Sequence, residues 1–150
     1  MIEWKNETII EANIEKVWEL FSDKNIKRIM PKVEEHTLIE KTEEEVGAKH
    51  QQTYREGKRV ETYIVETKNY VNTENKKVKE TSFVLGKAFQ ITTTYTLLKV
   101  DDSHTKLIYE GQNKGVNFVG RAMLKLSSKN ANHDVVKEFM DRVSNEALKM

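Results

Sequence analysis

The chain contains no cysteine, so disulfides, thiolate metal sites and a cysteine nucleophile are all excluded. It has one proline, Pro31, and six unclustered glycines, which leaves no linker, low-complexity tract or domain boundary to read. Hydrophobic runs are short. None approaches the roughly 18 consecutive apolar residues of a membrane-spanning helix, so no membrane insertion is expected. The stretch from Met1 to Lys16 scatters acids and lysines and lacks the unbroken apolar core of a secretory signal. Charge of one sign is missing as well: charged residues make up 33% of the chain but sum to +1, so no field draws nucleic acid or an anionic membrane. These absences point to a cytoplasmic setting. The 150 residues are the usual size of one domain with one core, and residues 1–150 are read as such.

What is present is patterned. Ile2, Trp4, Thr8 and Ile10 fall on one parity of an opening strand, with Glu3, Lys5 and Glu7 on the other. Asn13 has the chemistry of an N-cap, and Ile14, Val17, Trp18 and Phe21 follow at helical spacing. A second helical cluster, Ile26, Ile29 and Met30, is stopped by Pro31. From Val33 to about Gly115 the period becomes two. Strands are expected near Val33–Thr42, Ala48–Glu56, Arg59–Tyr70, Lys77–Leu85, Phe89–Val100 and Thr105–Lys114, separated by hairpin-length breaks. The alternation is clearest from Phe89 through Ile91 and Tyr95 to Leu97, which predicts one wet and one covered face.

The cover is expected from Asn117 to Met150, where about 32 helical residues would run roughly 48 Å. Phe118, Val119, Ala122, Met123 and Leu126 begin an apolar stripe, and Val136, Phe139, Met140, Val143 and Ala147 end it. Between them the inward register reaches Ser128 and Asn132. Either the helix bridges a cavity there, facing a ligand with a polar group, or it is frayed and exposed.

This order of elements resembles the helix-grip fold of the START-like (SRPBCC) superfamily, which includes pollen-allergen-like proteins and polyketide cyclases. The resemblance spans essentially the whole chain. It rests on Val17-Trp18-Glu19-Leu20-Phe21-Ser22-Asp23, Met30-Pro31-Lys32-Val33, Val46-Gly47 and Phe118-Val119-Gly120-Arg121-Ala122-Met123-Leu124. It implies an α+β architecture in which a curved, seven-stranded antiparallel sheet wraps a long C-terminal helix, with two short helices after the first strand. It also implies a cavity used across the superfamily for apolar molecules and in some members for catalysis. These motifs identify architecture and leave chemistry open.

Candidate site residues follow from parity. His50, Gln52 and Tyr54 share one face of the third strand and would line a cavity if that face is concave, although Lys49, Gln51 and Arg55 are no less polar. Tyr63, Tyr95 and Tyr109 are candidates to project inward and donate to a ligand. Phe89, Ile91, Tyr95 and Leu97, with Ser128 and Asn132, complete the expected wall. Glu66, Glu80 and Glu110 would be acid/base candidates if buried, but solvated strand glutamates are commoner. His36, His50, His104 and His133 sit in separate elements without zinc-binding spacing, so neither metal nor cofactor is expected. Three functions stay open: carriage of a small, mostly apolar or amphipathic molecule, a cyclase- or hydrolase-type enzyme using a cavity His or Glu, and an interaction module with a filled interior.

Overall fold

The computed structural model describes residues 1–126 and 129–150, with side chains described outside 127–131. Strand β1, Ile2–Ile10, is followed by helices α1, Ile14–Glu19, and α2, Ile26–Ile29. Six strands come next: β2 Val33–Glu40, β3 Lys49–Glu56, β4 Arg59–Asn72, β5 Lys76–Leu85, β6 Phe89–Asp101 and β7 His104–Gly115. Helices α3, Phe118–Leu126, and α4, Lys129–Leu148, close the order. The expected C-terminal helix is described over Phe118–Leu126 and Lys129–Leu148, and residues 127–128 lie outside the described residues. No described helix is long and apolar enough to cross a membrane.

The strands form one antiparallel sheet in the order β1-β7-β6-β5-β4-β3-β2. It is a meander from β2 to β7, with β1 returning to pair along β7 from Ile2↔Asn113 to Ile10↔Thr105. Local chemistry sets the corners. The Asn13 side chain accepts from the Glu15 amide at 2.9 Å and starts α1. Gly57 takes φ +63° in the tight turn joining β3 to β4, a conformation that costs other L-residues a steric penalty.

The core fills the space between the covered face of the sheet and the helices. Ile10, Ile14, Val17, Leu20, Leu97, Leu107 and Val143 are almost wholly buried, each contributing about 1.5–3 kcal/mol through the apolar surface it removes from water. The stripe read from α4 is the buried one: Val136, Phe139, Met140, Val143 and Ala147 all pack into this cluster. The stripe read from α3 is not. Gly120 and Leu124 are buried there, while Phe118 is 79% and Leu126 89% exposed. The reason is backbone contact: a Cβ on Gly120 would lie 2.1 Å from the Ala88 carbonyl oxygen, so α3 docks through its glycine and turns its larger apolar side chains outward.

Candidate functional site

A cavity of about 300 Å³ lies between the covered face of the sheet and α4. Strand parity builds its wall. Val65 and Thr67 of β4, Thr81 and Phe83 of β5, and Ile91, Thr93 and Tyr95 of β6 occur at alternate positions and all line it. Tyr95 stacks on Tyr109 with centroids 5.3 Å apart and planes 6° apart, and Phe139 of α4 packs on both rings. Complete burial pushes the Tyr95 hydroxyl up to about 12, and desolvation likewise raises Tyr109 and Tyr63. All three phenols are therefore neutral hydrogen-bonding groups near neutral pH.

The orientation that the pattern of β3 left open is resolved by its place in the sheet: His50, Gln52 and Tyr54 face the cavity together with Tyr63. Asn132 of α4 also lines it, whereas Ser128 lies outside the described residues. Phe89 and Leu97 do not line it. They share the parity of Ile91 and Tyr95, but the stretch they bracket runs about 27 Å along a strand. Leu97 therefore packs in the core at one end, and Phe89 is half-buried at the other. Glu66, Glu80 and Glu110 occupy the opposite parity and border only outer-face depressions. Among the described residues no carboxylate lines the cavity.

Part of its polar lining is made by residues that the sequence reading did not connect. His36 lies opposite Gln52 and Leu38 opposite His50 in the β2–β3 ladder, so the two histidines are diagonal neighbours. Their rings stack with centroids 4.4 Å apart and planes 17° apart. A register shift between Val33 and Glu35 lets Val33 and His36 both face inward despite their opposite parity. The turn after α1, tied down by Ser22 and Asn25 donating to the Glu19 carbonyl at 2.7 and 3.0 Å, brings up Asp23. His50 Nε2 sits 2.8 Å from Asp23 Oδ2, and His36 Nε2 3.3 Å from Asp23 Oδ1. The imidazoles of His36 and His50 hold the Asp23 carboxyl well below the ordinary carboxylate range, against a desolvation that acts the other way. His36 and His50, apart in the sequence, are therefore together in space.

Lys79 of β5 adds to this lining. Its ammonium donates to the Phe21 carbonyl at 3.2 Å, and burial lowers its pKa despite the opposing pull of Asp23 and Glu45. The sequence signal for Lys79 was its shared parity with Thr81 and Phe83. For His36 it was hairpin pairing, hidden by the bulge.

No family model matches the chain, and no curated relative does. Solved structures match over nearly its full length. The Zhui aromatase/cyclase from Streptomyces sp. R1128 superposes with a TM-score of 0.72 at 13% identity, covering 99% of this chain and 94% of that one. Norcoclaurine synthase from Thalictrum flavum, in complex with dopamine and hydroxybenzaldehyde, gives 0.65 at 14%, covering 99% and 87%. A conserved protein from Geobacillus kaustophilus gives 0.69 at 15%, covering 99% and 96%. The chain has the helix-grip α+β fold of these structures, a seven-stranded antiparallel sheet with a long C-terminal helix. At these identities the likeness extends to the fold alone.

Proposed function

We propose that the protein binds one small amphipathic molecule in the cavity between the sheet and α4. The observation that carries this reading is an internal space with a largely apolar, aromatic wall that also presents a few polar groups. Phe83, Ile91, Tyr95 and Tyr109 line it together with His50, Gln52 and Lys79. A dry cavity of about 150 Å³ accepts benzene, and ligand sites begin near 300 Å³, so this volume suits an apolar body of roughly one to two rings. Affinity would come from apolar burial at about 25 cal/mol per Å², with the polar groups fixing orientation. The open volume speaks against an interaction module with a filled interior.

A second reading, acid–base catalysis on the bound molecule, is favoured by the Asp23-held imidazole of His50 at the cavity wall. Recovery of the bound molecule unchanged after prolonged incubation would count against it.

The test is titration with 6-hydroxynaphthalene-2-sulfonate, a fluorescent probe with a two-ring apolar body and one anionic group. One probe per chain is expected. Val65→Trp, which fills the cavity from β4, should weaken uptake at least tenfold while circular dichroism stays native. Val84→Trp, at an exposed position on β5, should leave it unchanged. Undiminished uptake in a folded Val65→Trp protein would sink the reading.

A further inference from the structure

We propose that Asp23, His36 and His50 form a binding site for one divalent transition-metal ion of the zinc and cobalt class. The inference goes beyond the ligand-binding reading and does not depend on it. Its first support is the donor set. Two imidazoles and one carboxylate suit zinc, cobalt(II) or nickel(II), whereas calcium and magnesium are held by oxygen donors. One ligand atom from each residue lies within 4.8 Å of the other two, the one such grouping among the described residues. Zinc takes nitrogen and oxygen donors at about 2.0–2.2 Å in a tetrahedral shell, which sets neighbouring donors about 3.3 Å apart. The His36 Nε2 to Asp23 Oδ1 separation is 3.3 Å and the His50 Nε2 to Asp23 Oδ2 separation is 2.8 Å.

The second support is independent of proximity. The His36 side chain is only 8% exposed, and its Nε2 is buried without a hydrogen-bond partner. On the far side of the ring, Nδ1 is 2.8 Å from Gln52 Oε1. Gln52 donates its amide nitrogen to the Tyr63 hydroxyl at 2.8 Å, so its oxygen is the end turned to His36. That oxygen only accepts, so Nδ1 carries a proton and Nε2 is the nitrogen left to face Asp23. A metal-ligating histidine is characteristically oriented in this way, with its second nitrogen donating to a fixed carbonyl.

An ion pair between Asp23 and a protonated His50 accounts for only half of this geometry. It satisfies the 2.8 Å contact, while His36 Nε2 lies 3.3 Å from Asp23 Oδ1 outside hydrogen-bond geometry. A metal ion satisfies both rings at once. Asp23 is 47% exposed, which gives the ion an entry path from solvent. His36 and His50 both border the cavity, so the coordination position left open by three protein ligands points toward it. An oxygen donor such as water, a carboxylate or a phenolate would fill that position.

Metal-free protein titrated with cobalt(II), followed by its visible d–d bands and by calorimetry, tests the site without any organic ligand. One equivalent is expected, with bands of a four- or five-coordinate ion that zinc displaces. Asp23→Asn should weaken binding by at least about tenfold, and His50→Asn likewise. His104→Asn, at a half-buried position on β7, and His133→Asn, at an exposed position on α4, should change nothing. Because His50 is buried, the half-exposed Asp23→Asn variant decides, with its fold checked by circular dichroism. The absence of a saturable cobalt signal in the wild-type protein, or a signal unchanged by Asp23→Asn in the folded variant, overturns the proposal.

Discussion

Gln52 donates its side-chain amide to the Tyr63 hydroxyl at 2.8 Å, and this bond decides which end of the amide His36 meets. Both residues are buried, so neither group has ready access to water as a substitute partner. The relation couples three strands: β4 holds the phenol, β3 the amide and β2 the imidazole. A tautomer on β2 is thereby set by a hydroxyl two strands away.

Tyr63→Phe should break that coupling. The Gln52 nitrogen loses its acceptor, and a flipped amide can instead donate to the His36 Nδ1 lone pair. The ring proton then moves to Nε2, facing Asp23. Nitrogen-15 spectra of the metal-free protein should show the protonated nitrogen of His36 change from Nδ1 to Nε2. Stability should fall by about 0.5–1.5 kcal/mol for the lost hydrogen bond. Retention of Nδ1–H in a folded variant would mean that Tyr63 does not govern the tautomer.

The strands were legible because period-two runs such as Phe89 to Leu97 were long and their turns short. The long buried stripe of α4 was legible for the same reason. The docking of α3 was not: nothing in a hydrophobic stripe reports that Gly120 must sit against the Ala88 backbone. Nor was the polar lining of the cavity. His36 and His50 meet only through the β2–β3 register, which the shift between Val33 and Glu35 alters, and Asp23 arrives from a turn in a different part of the chain. Nor was Lys79 legible as a cavity residue, because a strand lysine is usually a solvated one.

Lys79→Met should be neutral or stabilising near neutral pH. Burial lowers the Lys79 pKa, with Asp23 and Glu45 opposing, so the charged form is the disfavoured one in the folded protein. The unfolded chain holds this proton up to about pH 10.4 and the folded chain releases it earlier. In that window the unfolded state binds more protons, so wild-type stability rises with pH as the burial penalty is relieved. Below the folded pKa both states are charged and the penalty is present in full. Thermal unfolding should therefore place Lys79→Met at or above wild type at neutral pH, with wild type gaining on it as pH approaches 10. A difference that is constant across this range would show that Lys79 carries no perturbed titration.

The two tryptophans stand on different sides of the cavity wall and can locate its ligand. Trp4 of β1 lines the cavity and packs on Tyr109 at 5.9 Å between centroids. Trp18 of α1 packs on Phe21 and Tyr70 with the Lys77 ammonium over its ring, and does not line the cavity. A brominated phenol quenches indole emission by contact, and its ring matches the apolar wall made by Tyr95, Tyr109 and Ile91. In Trp18→Phe, where emission comes from Trp4 alone, titration should give saturable quenching. In Trp4→Phe, where it comes from Trp18, quenching should remain weak and linear, as for random collisions. Adding Val65→Trp to either background would introduce a third indole, so Val65→Phe is the filling variant to combine with Trp18→Phe, and it should reduce the saturable component. Saturable quenching of Trp18 with Trp4 unaffected would place the bound molecule outside the cavity, beside α1.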